Sequence, residues 1–235
     1  MSPTPTAGRE HIGLLIYPGF TALDLFGPHH MLTGLRPARL DLMARTRNPV
    51  TTDSGVTILP TTTFDDVAAG LDILIVPGGT EGTLAAMCDE ATRAFVARQA
   101  SHAGIVASVC TGSLILAAAG LLRGRRATSH WLTLDALRLF GANPVAARVV
   151  EDGRFITGAG VSAGLDLGLV LVQRLRGTAY AQMVQLVAEY DPRPPLEAGS
   201  PESAPPAVVA EARIHFAAFS ARLEQAASTL AATMC

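Results

Sequence analysis

One stretch of the chain decides the fold: Ile105-Val106-Ala107-Ser108-Val109-Cys110-Thr111-Gly112-Ser113-Leu114-Ile115-Leu116-Ala117-Ala118-Ala119-Gly120-Leu121-Leu122. Its first five residues are small or β-branched, and all but Ser108 are apolar, which predicts a short buried strand. The alanine- and leucine-rich part that follows predicts a helix ending at Gly120. A strand, a sharp turn and a helix in this order would present Cys110 as a nucleophile at the carboxyl end of the strand.

Cys110 has two interpretations on these grounds. At a helix N-terminus, free N–H groups and the helix dipole favour the thiolate, which would make the residue reactive. Free cysteines also serve as small hydrophobic residues, so Cys110 could equally be a core side chain. The spacing alone leaves both interpretations open.

Composition limits the classes of protein that the chain can represent. With 235 residues and 49% hydrophobic content, it can bury the core of one large domain. No apolar run reaches the roughly 18 residues of a membrane span, so no membrane partner is expected. The formal net charge is −2 and the basic residues are scattered, which argues against a nucleic-acid partner.

The termini and the cysteines suggest where the protein works. The first ten residues are polar and contain proline, with no apolar core of a signal peptide. Cys88, Cys110 and Cys235 are too few for a disulfide framework. A reducing, cytoplasmic location follows as the expectation. No cysteine and histidine spacing suits a metal, so no structural zinc is expected.

The rest of the chain alternates between strand and helix patterns. The predicted strands cover 11–17, 40–44, 71–76 and two segments within 148–157, and a hairpin covers 50–60. The predicted helices cover 89–101, 131–140, 165–175, 179–190 and 207–233, with a proline-rich segment over 191–206. The helix over 165–175 is apolar nearly all round and should be buried. The last helix carries one apolar stripe, which would cover its own domain or, as we favour, a second subunit.

This alternation predicts an α/β fold with a mostly parallel sheet between helices. Sites in such sheets lie beyond the carboxyl ends of the strands. Asp24, the turn at Gly78-Gly79 and Cys110 each follow an apolar run, so they should meet at one edge. Asp24 could cap a helix, or its pKa could be raised by apolar neighbours so that it carries a proton. Gly27-Pro28 should break or kink the helix that follows Asp24.

His130 follows Cys110 by about twenty residues and could return to the same strand end. A cysteine and histidine pair would be an obvious activation device. A histidine before a tryptophan can equally be a structural hydrogen-bonding group.

Several motifs resemble a known family. Leu74-Ile75-Val76-Pro77-Gly78-Gly79 followed by Val109-Cys110-Thr111-Gly112 is similar to the ThiJ/PfpI superfamily, within the class I glutamine amidotransferase-like proteins. More narrowly, Leu23-Asp24-Leu25, Gly27-Pro28-His29, Ser113-Leu114 after the cysteine, and Arg126-Ala127-Thr128 before His130-Trp131 resemble isocyanide (isonitrile) hydratases. The resemblance implies a flavodoxin-like domain over 1–190, followed by a proline-rich segment and long helix over 191–235.

The resemblance also implies a reaction. Such a protein would be a homodimeric hydratase that converts an isocyanide and water to an N-substituted formamide, without metal or organic cofactor. Cys110 would be the nucleophile, Asp24 the acid and base, and Thr111 the residue where related proteases place histidine. The N–H groups of Gly79 and Thr111 would stabilise charge on the substrate, and that of Val161 would reach the sulfur.

Two other classes of function are compatible with the same motifs. A cofactor-free glyoxalase of the superfamily would use the same cysteine with an acid and usually a histidine, so His130 is the residue that distinguishes it. A non-enzymatic ligand sensor, as in AraC-type regulators, shares the elbow, and a redox sensor would need only a reactive Cys110.

Overall fold

The computed structural model describes residues 9–67 and 70–233, so Cys235 and most of the polar N-terminal segment lie outside the described part of the chain. The strands within these ranges are β1 His11–Leu15, β2 Arg39–Ala44, β3 Val50–Thr51, β4 Thr57–Ile58, β5 Thr62–Thr63, β6 Ile73–Val76, β7 Ile105–Val109, β8 Arg126–Ala127, β9 Asn143–Pro144, β10 Val149–Asp152 and β11 Phe155–Gly158. The helices are α1 Ala22–Leu32, α2 Glu81–Cys88, α3 Glu90–His102, α4 Gly112–Ala118, α5 Ala163–Arg176, α6 Thr178–Val187, α7 Pro206–His215 and α8 Ala217–Thr233. A 3-10 helix covers Leu134–Phe140.

The main sheet has the strand order β10-β11-β7-β6-β1-β2-β5. All neighbours are parallel except β10, which pairs antiparallel with β11. Strands β6 and β7 are buried along their whole length, as the continuous apolar runs predict. The α/β class and the mostly parallel sheet between helices are therefore confirmed.

Gly27-Pro28 was expected to break or kink the first helix, and the break does not occur. Helix α1 runs through Pro28 to Leu32. It packs on α5 at very short range, since a Cβ at Gly27 would lie 3.2 Å from the backbone N of Leu165. A Cβ at Gly168 would lie 2.7 Å from Met31, so glycines on both helices permit the contact. The tight packing on α5 offsets the free energy that is lost with the backbone hydrogen bond that proline removes.

The C-terminal helix was predicted as one element and is two. Helices α7 and α8 are separated at Phe216. In α8, Phe219, Leu223 and Ala227 are buried against the domain, so the stripe covers this chain's own surface there. Helix α7 has no buried residue, and its Ile214 is 76% exposed.

Other differences from the predictions are local. The region 131–140 contains turns and the 3-10 helix rather than an α-helix, and α5 is buried along one face only. The sequence patterns missed α2 and the short strand β5. The hairpin formed by β3 and β4 is confirmed, as is helix α3.

Candidate active site

Cys110 lies on a strained turn between β7 and α4. Its φ is +58°, a left-handed conformation that costs a non-glycine residue about 1–3 kcal/mol. Four hydrogen bonds hold this conformation. The Cys110 N–H donates to the carbonyls of Gly158 and Ala159, at 3.1 and 2.8 Å. Its carbonyl accepts from the hydroxyls of Ser113 and Ser129, both at 3.2 Å. This geometry turns the thiol to the end of the strand, although the residue is only 5% exposed.

Asp24 lies in the first turn of α1 and is fully buried. Its Oδ2 accepts a hydrogen bond from the N–H of Gly78 at 2.9 Å. Of the two interpretations of Asp24, the helix cap does not hold, because Thr21 occupies the N-cap position and Asp24 binds Gly78 instead. Its Oδ1 has no hydrogen-bond partner of standard geometry within the described residues.

The two side chains form an electrostatic pair. Burial raises the pKa of Asp24 to about 7, against a smaller opposing effect of the Gly78 N–H and of the Cys110 thiol. Burial also raises the pKa of Cys110, and the charge of Asp24 adds to this rise. The N–H groups of Thr111 and Val161 act on the sulfur in the opposite direction but do not outweigh burial. Burial therefore favours the thiol over the thiolate at Cys110, and it raises the pKa of Asp24.

Thr111 follows the cysteine and is tied to the glycine turn. Its hydroxyl donates to the carbonyl of Gly79 at 2.6 Å and accepts from the Gly79 N–H at 3.0 Å. The N–H of Gly79, which was expected to stabilise charge on the substrate, therefore donates to Thr111 instead. Gly78 is required by space, since a Cβ there would lie 2.6 Å from the Thr111 N and 2.8 Å from Asp24 Oδ2.

A buried chain of hydroxyl groups continues from Thr111 and was not predicted. Thr83 Oγ1 lies 2.8 Å from Thr111 Oγ1 and 3.0 Å from the hydroxyl of Tyr17. The Tyr17 hydroxyl also lies 2.8 Å from the carbonyl oxygen of Pro77. Thr83 belongs to α2, the helix that the sequence patterns missed, so no pattern along the chain pointed to it.

A second acid, Asp53, influences the site through its charge. The charge of Asp53, at the tip of the β3–β4 hairpin, raises the pKa of Asp24. Its Oδ2 accepts from the Thr21 hydroxyl at 2.5 Å, which fixes the hairpin beside the start of α1.

His130 is not part of the pair. Its ring packs on the loop before α5, where a Cβ at Gly160 would lie 2.8 Å from the ring. Burial lowers its pKa, so the ring is neutral, and its Nδ1 accepts from the N–H of Leu132 at 3.3 Å. The groups that act on the pKa of Cys110 are those of Asp24, Thr111 and Val161.

The arrangement combines a thiol, a buried carboxyl that titrates near neutrality and two N–H groups on the sulfur. Such a site can form a covalent bond to an electrophilic carbon and move one proton between sulfur, carboxyl and substrate. In residues 9–67 and 70–233, no cluster of three or more His, Cys, Asp or Glu could hold a metal ion. No helix in these ranges is long and apolar enough to cross a membrane.

Fold and site together define an α/β protein with a cysteine on a nucleophile elbow and an acid beside it. The chain belongs to the DJ-1/PfpI family, whose model matches residues 10–174. It is 50% identical over 202 residues to the isonitrile hydratase of Pseudomonas putida. The aligned region covers 86% of this chain and 88% of that protein. A ThiJ/PfpI family protein from Pseudomonas syringae has the same fold, with a TM-score of 0.92, 49% identity and coverage of 97% and 94% of the two chains. The HTH-type transcriptional regulator CdhR of Pseudomonas aeruginosa is 31% identical over 72% of this chain and 52% of its own.

Proposed function

We propose that this protein is an isocyanide hydratase, which adds water to an isocyanide and releases an N-substituted formamide. The observation that carries the proposal is the buried carboxyl of Asp24 beside the Cys110 thiol, with a pKa of about 7. Similarity to the Pseudomonas putida isonitrile hydratase over most of both chains supports the same reaction.

The pair begins the reaction with one proton shared between its two groups. Asp24 as carboxylate takes the thiol proton while Sγ bonds to the terminal carbon of the isocyanide. Asp24 then delivers this proton to the same carbon, and the product is a thioimidate, R–N=CH–S–Cys110. The N–H groups of Thr111 and Val161 stabilise the charge that forms on the sulfur during the transfer.

Asp24 is ionised again after this step and can act as a base. It takes a proton from a water molecule, whose oxygen bonds to the thioimidate carbon. The carbon–sulfur bond then breaks, the nitrogen and the sulfur each end with one hydrogen, and R–NH–CHO leaves. One isocyanide and one water are consumed, and no external oxidant, reductant or cofactor is required.

The remaining site residues have supporting roles in this proposal. Thr111 places its N–H on the sulfur, and Val161 supplies the second donor from the loop before α5. Gly79 shapes the turn that holds Thr111, rather than donating to the substrate.

We further propose that the protein works in the cytoplasm as a homodimer. The exposed apolar side chains of α7, Val208 and Ile214, support a second subunit on that helix. Residues 1–190 would then form the catalytic domain, and 191–235 the segment that joins domain and partner.

The test is turnover of n-butyl isocyanide to N-butylformamide, followed by chromatography. Wild-type protein should form the product, and Cys110→Ala should form none. His130→Ala should retain turnover, because that ring lies outside the pair; loss of turnover in a folded variant would show that the histidine takes part in the reaction. No product from the wild type, or equal product from Cys110→Ala, would refute the proposed function.

A further inference from the structure

The hydroxyl chain behind the nucleophile has too few protons for its contacts. It runs from the carbonyl of Pro77 through Tyr17, Thr83 and Thr111 to the carbonyl of Gly79. Each of the four contacts is 3.0 Å or shorter. Both ends are carbonyl oxygens, which only accept, and the three hydroxyls supply one proton each. One of the four contacts is therefore always without a proton.

Which contact lacks the proton depends on the free energy lost when each acceptor has no hydrogen bond. The outer contacts end on backbone carbonyls within a buried region, where a lost hydrogen bond is expensive. If both outer contacts are hydrogen bonds, the contact without a proton is one of the two that Thr83 makes. Its one proton points either to Tyr17 or to Thr111, and the two hydroxyls compete for it.

We infer that Thr83 is a positioning residue for Cys110, and that Tyr17 competes with Thr111 for its hydroxyl proton. When Thr83 donates to Thr111, the Thr111 hydroxyl accepts from both Thr83 and the Gly79 N–H and donates to the Gly79 carbonyl. Thr111 is then held from three directions. When Thr83 turns to Tyr17, one of these bonds is lost.

The consequence reaches the sulfur through the backbone of Thr111. Its side chain and its N–H belong to one residue, and the N–H is one of the two donors on Sγ. Holding the hydroxyl in place therefore fixes the donor that stabilises negative charge on the sulfur. All three side chains are at most 6% exposed, so water does not replace a missing partner easily.

The test measures alkylation of Cys110 by iodoacetamide at pH 8, with each cysteine followed separately by mass spectrometry. This readout does not depend on the substrate; only the second readout, kcat/KM for n-butyl isocyanide, rests on the proposed function. Cys88 ends the same helix as Thr83 and is exposed, so its alkylation rate reports whether α2 is intact. Thr62→Val removes the hydroxyl of another buried threonine and serves as the matched control.

Thr83→Val should slow alkylation of Cys110 about 3- to 10-fold, the value of one hydrogen bond, with Cys88 unchanged. Thr83→Ser keeps the hydroxyl and should restore the rate, and Thr62→Val should leave it at the wild-type value. Tyr17→Phe removes the competitor, so its rate should equal or exceed that of the wild type.

Wild-type alkylation in Thr83→Val, failure of Thr83→Ser to restore the rate, or equal losses in Thr83→Val and Tyr17→Phe would overturn the inference. If the wild type forms no formamide while the alkylation rates keep the expected order, the proposed function fails and the positioning role of Thr83 stands.

Discussion

Replacing Asp24 with asparagine should stabilise the folded protein at high pH while it removes activity. The folded pKa of Asp24 is about 7, above the value of about 3.9 for an aspartate in an unfolded chain. The folded state therefore binds the proton more tightly, and wild-type stability falls as the pH rises from about 4 through about 7. Asparagine does not titrate, so the variant is spared this loss.

The size of the effect follows from the two pKa values. One pKa unit corresponds to 1.36 kcal/mol, so ionising Asp24 in its buried position costs about 4 kcal/mol. The asparagine carbonyl can still accept from the Gly78 N–H, which limits other changes. Its new N–H2 group faces the thiol and finds only a weak acceptor, at a cost of about 1–3 kcal/mol that does not vary with pH.

Urea denaturation at pH 4 and at pH 8 measures this difference. The free energy of unfolding of Asp24→Asn minus that of the wild type should be higher at pH 8 by about 3–4 kcal/mol. Asp135→Asn, which replaces an exposed carboxyl, is the matched control. An equal difference for Asp24→Asn at the two pH values would refute the argument that burial raises the pKa of this carboxyl.

Three shorter predictions follow from the same site and from the last helix. Gly78→Ala should lower kcat/KM about 100-fold because its Cβ would displace Asp24, whereas Gly199→Ala, where no atom lies within 4 Å, should match the wild type in the same assay. Asp53→Asn should move the acid limb of the pH–rate profile to lower pH, because the charge that raises the pKa of Asp24 is gone; an unmoved limb would exclude that coupling. Leu223→Ala should cost about 2–5 kcal/mol in urea denaturation, since this side chain is 2% exposed; a loss under 1 kcal/mol would mean that α8 is not docked on the domain.

Much of the fold could be predicted because the central strands are apolar along almost their whole length. Strands β6 and β7 are buried on both faces, so their composition alone identifies them. The elbow at Cys110 follows from the change of period after β7. The resemblance of the same motifs to isocyanide hydratases led to the reaction proposed above.

The errors occur where tertiary contacts outweigh local preference. Pro28 lies within a helix because α5 packs against α1 through glycine contacts that no local pattern shows. Helix α2 was missed because Gly82, near its start, is typical of a turn. The glycine is needed there for packing, since a Cβ at Gly82 would lie 2.4 Å from the carbonyl oxygen of Gly19. The spacing of His130 leaves its role open, and its ring packs against Gly160.

The sequence by itself determined the central strands of the sheet, the elbow and the residue types of the site. It could indicate that Asp24 and Cys110 meet, because both follow buried apolar runs. Only the tertiary structure decided their protonation, since burial depends on every element packed around them and raises the pKa of both groups. It alone also placed Thr83 and Tyr17 behind Thr111, because hydrogen bonds between distant segments leave no periodic pattern in the sequence.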